Sequence, residues 1–299
     1  MKRGQVTIFI LIGIVILIAA VLIIYVFIVR GIQPESERQQ AVVLSAETAE
    51  VEQYMISCLE RVTENAAYAI ALHGGFLNPT GALEWGESGD GVPSKSHFFL
   101  ADRPIPTIVD GSTINLRSRS EIERMLERYI VVEVAKCDLS PFVDRFEMQK
   151  PDILWQSIDF DFTKASVPYS VTKVSASARI FPESISVTLS YPLLLTTESS
   201  RFELNTFAAQ IPLRLGLVHS IAEKLAQHIA GEQPYMITEN CDEYSSADGL
   251  VNVYLLSNPT RQHDALRVID AQPVTSKLSE PLAFQFAVKN VEVSGACVG

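Results

Sequence analysis

Motifs that announce chemistry are missing from this 299-residue chain. It has no Gly-x-Ser-x-Gly elbow for a serine nucleophile, no His-Glu-x-x-His zinc helix and no Gly-x-Gly-x-x-Gly dinucleotide turn. The glycine-rich stretch 84–91 is followed by Val92 where a phosphate-cradling loop carries lysine, and it lacks the alternating oxygen ligands and closing Glu of a calcium loop. Basic residues are scarce: 24 Lys and Arg face 35 Asp and Glu, a net charge of −11. That excess of negative charge excludes nucleic acid and anionic lipid head groups as partners, because both repel it. Cysteines number only 4, spaced too far apart for the close pairs of a zinc site. Of the 5 histidines, His219 and His228 lie on opposite faces of one predicted helix and cannot chelate a shared ion. Asn78 and Asn258 are each followed by proline, which blocks them as N-glycan acceptors. The sequence therefore predicts no metal, no cofactor and no catalytic residue.

What is present begins with residues 6–29, an apolar run of 24 residues without a charge. As a helix it would be about 36 Å long, enough to cross a hydrocarbon core of about 30 Å. It is too long for a cleaved secretory signal, and Ala19-Ala20 lies inside it. The expected reading is a signal anchor over residues 1–30, with the lipid bilayer as partner. Lys2 and Arg3 place its N-terminus in the cytoplasm and the remainder outside. Removing Lys2, Arg3 and Arg30 leaves 21 basic against 35 acidic residues beyond the span, a net −14 that suits solubility.

Gln5-Val6-Thr7-Ile8-Phe9-Ile10, preceded by Lys2, Arg3 and Gly4, resembles the start of archaeal type-IV-pilin-like precursors, with Phe9 where that pattern has a Glu. The resemblance implies a candidate processing site between Gly4 and Gln5. The same segment, with Cys58-Leu59 and His73-Gly74-Gly75-Phe76, is similar to a set of uncharacterised exported proteins of small-genome archaea, a likeness that implies no activity.

Beyond the anchor the expected fold class is α+β: a helical region with a long loop over 31–150, then an antiparallel sheet with a packed helix over 151–299. Apolar residues at Val51, Met55, Cys58, Val62, Ala66 and Ala69 step by three and four, which predicts a helix over 36–73 ended by Gly74-Gly75. A second helix is predicted over 121–135, with a capping box formed by Ser120 and Glu123. Residues 76–119, rich in Gly, Pro, Asp and Ser, read as loop. From about 153 the period becomes two. Strands are predicted over 174–180 and 185–191, joined at Pro182-Glu183, and over 202–211, 250–256, 266–271 and 282–288. A helix over 212–230 carries Leu213, Leu217, Ile221, Leu225 and Ile229 on one stripe.

An even cysteine count in an exported chain points to two disulfides with three possible connectivities. Pairing within each half favours Cys58–Cys137 and Cys241–Cys297, the second tethering the tail over a sheet edge or terminus. Trp85, Phe98 and Phe99 anchor the long loop, which is the candidate binding surface. Asp159 and Asp161 form a carboxylate pair on one strand face, which reads as a solvated polar face or, near the 84–100 loop, as the site of a hydrolase. The function expected is a non-enzymatic surface protein that contacts other envelope proteins or itself. The alternatives are a pilin-like filament subunit cut after Gly4, and an extracytoplasmic hydrolase.

Overall fold

The computed structural model describes residues 35–77, 97–100, 103–151, 174–198, 200–244, 251–256, 263–271 and 281–297. Gly4, Gln5, the apolar run 6–29, Trp85, Asp159 and Asp161 lie outside them. The chain falls into two units, Met1–Val51 and Glu52–Gly299. Among the described residues no helix is long and apolar enough to cross a membrane.

The mixed α+β class is as expected. Helix α1 spans Glu35–Leu72. In the second unit its residues Met55, Cys58, Leu59, Val62, Ala66 and Ile70 are buried, the three-four spacing of a single apolar stripe. It ends in a Schellman motif: Gly75 N–H donates to the Ile70 carbonyl and Gly74 N–H to that of Ala71. Gly74 has φ +56°, and a Cβ there would lie 2.8 Å from both the Gln285 carbonyl oxygen and Pro106 Cγ. Only glycine allows the turn and the close approach to the sheet together.

The region read as loop holds three strands: β1 (His97–Leu100), β2 (Arg103–Asp110) and β3 (Thr113–Ile114). Phe98 and Phe99 belong to β1, paired with Ile105 and Pro104 of β2. The prolines at 104 and 106 hide the strand from a propensity reading, but both precede the residues that β2 pairs with its other neighbour. Helix α2 spans Arg119–Val134. Its capping box is Ser118 with Glu121, two residues earlier than the predicted pair. The Glu121 carboxylate accepts from Ser118 Oγ (2.7 Å) and Ser118 N–H (2.8 Å), bonds that hold its pKa below the ordinary value.

A 3₁₀ turn at Ser140–Phe142 leads to β4 (Glu147–Gln149), β5 (Ser175–Ile180), β6 (Ile185–Thr196) and β7 (Arg201–Ile211). The β5–β6 hairpin forms as predicted, with Ile180 opposite Ile185. β6 pairs with β4 and β5 as well as with β7, and its register to β7 shifts around Pro192, where a missing donor is tolerated. Then come α3 (Leu215–Gly231), β8 (Tyr235–Met236), α4 (Cys241–Tyr244), β9 (Val251–Leu256), β10 (His263–Asp270), β11 (Ala283–Lys289) and β12 (Val293–Ser294).

The larger sheet has the order β1-β2-β11-β10-β9, with β3 on β2. All its pairs are antiparallel except β2–β11, which runs parallel and joins strands from before and after residue 150 in one sheet. β11 is central, and residues Ala283 to Val288 are buried on both faces. The predicted alternation of Phe284 and Phe286 with Ala283, Gln285 and Ala287 does not separate inside from outside, since both sets are buried. Gly216 opens α3 against the β5–β6 turn, where a Cβ would meet the Phe181 carbonyl oxygen at 2.4 Å.

Both predicted disulfides are present. Cys58–Cys137 ties α1 to the residues after α2 (Cα–Cα 6.4 Å), and Cys241–Cys297 ties α4 to the tail (Cα–Cα 5.4 Å). Cys297 also forms an isolated antiparallel bridge with Val253 on the outer edge of β9, as the tethered-tail reading expected.

The free edge of β5 is closed by α2 through side chains. Glu123 Oε1 accepts from Ile180 N–H (2.9 Å) and Glu127 Oε1 from Ala178 N–H (3.1 Å). The two carboxylates stand one helical turn apart and the two amides two strand residues apart, so both spacings match. Glu123 is buried and also meets Arg179 Nη1 at 3.1 Å, but that arginine side chain is 68% exposed. The amide bond therefore outweighs the ion pair. Glu123→Ala should cost about 2 kcal/mol and Arg179→Ala less than about 0.5 kcal/mol. Urea midpoints of the two variants measure this, and equal losses would refute the ranking.

Candidate functional site

Four hydroxyl, amide and imidazole groups converge where α3 ends and α4 is pinned by Cys241. Asn240 Nδ2 donates to the Tyr235 hydroxyl at 3.0 Å. The Tyr235 and Tyr244 hydroxyls are hydrogen-bonded to each other. The Tyr244 hydroxyl lies 2.7 Å from His228 Nδ1, and His228 Nε2 lies 3.6 Å from a Glu243 carboxylate oxygen. One direction uses every proton once: Asn240 to Tyr235 to Tyr244 to His228, whose Nε2–H then faces Glu243.

Hydroxyl, imidazole and carboxylate in that order are the groups of a nucleophile, its base and an orienting acid. The exposures decide against that use. Tyr235 is 2% and Tyr244 1% exposed, so no substrate reaches either oxygen. Burial, then the hydrogen bond to Tyr235, pushes the Tyr244 pKa far above that of an ordinary phenol. His228 and Glu243 touch solvent, with side chains 33% and 55% exposed, and Asn240 is half-buried. The chain of bonds fixes α4 and the Cys241 end of the disulfide against α3 and β8.

The other histidines are placed apart. His219 Nε2 donates to the Arg117 carbonyl at 2.8 Å, and its ring meets Phe284 edge to face at 5.6 Å. Burial holds it below its ordinary pKa, so it is neutral. His73 Nδ1 lies 2.9 Å from the Leu77 carbonyl oxygen at the end of α1. His263, on β10 opposite Lys289, has its pKa lowered by burial and then by that lysine. The predicted separation of His219 from His228 holds, since they bond to different elements. A charge pair buried on both sides, Arg214 Nε to Asp270 Oδ2 at 3.1 Å, has side chains only 4% and 8% exposed and pins the start of α3 to the end of β10.

Phe98 and Phe99 sit in a sheet strand, and all four cysteines sit in the two bridges. Sequence reasoning missed Tyr235, Asn240, Glu243 and Tyr244. Their spacing carries no chemical signature, and only the position of Tyr244 one helical turn after a bridged cysteine links it to the core. No family model, curated protein or solved structure matches the chain.

Tyr244→Phe leaves the Tyr235 hydroxyl and His228 Nδ1 without their shared partner and should lower stability by about 1–2 kcal/mol, read from denaturant midpoints. His219 gives a pH signature. Its folded pKa lies below the ordinary 6.5, so its contribution is complete above that value and is lost as pH falls through the lowered folded value. The wild-type midpoint should drop between about pH 7 and 5.5 more than that of His219→Gln; parallel curves would contradict this assignment.

Proposed function

We propose that this chain is a membrane-tethered protein of the outer envelope face, with a contact role and no catalytic one. In this reading residues 6–29 anchor it in the cytoplasmic membrane, and the Glu52–Gly299 unit meets other envelope proteins on the far side. The observation that carries the reading is that all four cysteines are consumed in two long-range disulfides, separated by 79 and 56 residues in sequence. Such bridges persist in oxidising compartments and are rare where thiols are kept reduced. The apolar run and the basic residues before it support the same orientation. Among the described residues, the burial of both tyrosine hydroxyls in a relay of catalytic-type groups supports the non-enzymatic part.

A pilin-like subunit is the second reading. It is favoured by the order of an apolar run, the 38-residue helix α1 and then sheets, which is the plan of that class. Processing after Gly4 would give a mature chain starting at Gln5.

Protease added to intact cells should remove the full-length chain as completely as it does in lysates, and a thiol alkylator should label no cysteine until a reductant is added. A chain shielded until lysis, with four reactive thiols, would sink the envelope reading. N-terminal sequencing separates the two readings: a retained Met1 removes the pilin-like one, and a start at Gln5 supports it.

A further inference from the structure

β9 ends the larger sheet, so one of its edges is paired with β10 and the other faces outward. Both backbone groups of Val253 bond to Cys297: Val253 N–H donates to the Cys297 carbonyl at 2.8 Å, and Cys297 N–H to that of Val253 at 2.9 Å. Because backbone direction alternates along a strand, Val251, Val253 and Leu255 point their polar groups outward, while Asn252, Tyr254 and Leu256 bond to β10. Among the described residues only Val253 has its outward groups met, and the residue that meets them is held by the disulfide to Cys241.

The strand itself, Val-Asn-Val-Tyr-Leu-Leu, has no charge, no proline and no glycine, and is rich in β-formers. Strands of this kind at a sheet edge recruit further strands unless something blocks them. It is also self-complementary. An antiparallel copy centred on Val253 sets Val251 opposite Leu255 and Val253 opposite Val253, which brings all three outward residues into bonded register. Asn252 then faces Tyr254 on the other side, and no like charges meet.

We propose that the tail pinned by Cys241–Cys297 is a plug on a self-association edge, and that its release lets two copies of this chain pair through β9. The plug and the partner strand use the same N–H and C=O of Val253, so they exclude one another. Without the bridge the tail is retained by its short parallel pairing to β8, at Val293 and Ser294, and by the Val253 bonds. A dithiol releases it by exchange: the S–S bond gives two cysteine thiols and the dithiol closes to its own disulfide. The inference does not depend on the compartment or on the anchor.

The test uses the full chain in detergent micelles, with mass read by light scattering over a range of concentrations. The oxidised chain should be monomeric, and Cys241→Ser/Cys297→Ser should double in mass. Cys58→Ser/Cys137→Ser, which leaves the plug in place, should stay monomeric. Adding Leu255→Pro to the first variant removes one outward donor without touching a β9–β10 bond, and should weaken association by about tenfold or more. Amide exchange at Asn252 and Tyr254 reports whether the sheet survives release. A released variant that stays monomeric would overturn the proposal. So would association indifferent to Leu255→Pro, or loss of protection at Asn252 and Tyr254, because the proposal requires an intact edge.

Discussion

The backbone groups along the rims of two small sheets are the constraint on which this structure turns. A strand at a sheet edge has half its N–H and C=O groups unmatched, and a chain that leaves them so invites other strands. Two different devices answer this here. The β5 rim is closed by carboxylates projected from α2, with Glu123 and Glu127 each taking one amide. The β9 rim is closed by main chain, with Cys297 acting as a one-residue strand. In both cases the closing element is itself held by a disulfide: Cys137 follows α2, and Cys297 is the closing residue. The bridges thus lock the pieces that terminate the sheets, in addition to closing loops.

The overlap of two Ser-x-x-Glu patterns at the start of α2 shows how tertiary demand settles what local sequence leaves open. Ser118 with Glu121 and Ser120 with Glu123 both fit a capping box. The structure caps with the first pair because Glu123 is needed inside, on the amide of Ile180. A burial requirement set by a strand 57 residues away decides which serine starts the helix. Nothing in the window around residue 120 contains that information.

The same reasoning separates what was legible from what was not. The β5–β6 hairpin, helix α3 and the stop of α1 at Gly74-Gly75 could all be read because each rests on a local period or a local dihedral demand. The disulfide pairing was legible from the division of the cysteines between two halves. Strands β1 to β3 were not, since Pro104 and Pro106 suppress the strand signal. The parallel β2–β11 pairing was also out of reach, because it unites segments more than a hundred residues apart and leaves no trace in either period. The Tyr235–Tyr244–His228 relay was hidden for a related reason: its members are ordinary residues until the Cys241 bridge and the end of α3 bring them together.

Magnitudes give the bridges their weight. In the chain-entropy account, closing loops of this length stabilises by about 4 kcal/mol per bridge. A whole domain is stable by only about 5–15 kcal/mol. Two bridges are therefore comparable to the entire margin, whereas a buried carboxylate–amide bond such as that of Glu123 adds about 1–3 kcal/mol and an exposed ion pair such as Arg179–Glu123 next to nothing. Oxidation then supplies a large share of the fold's margin. The polar relay beside Cys241 follows from the same ordering. A bridge fixes only two points, and the tail can close β9 only if the short helix α4 carrying Cys241 is itself immobile. Buried hydroxyls bonded in series to His228 and Asn240 supply that rigidity, which is why two hydroxyls with a catalytic look stand where no substrate can reach them.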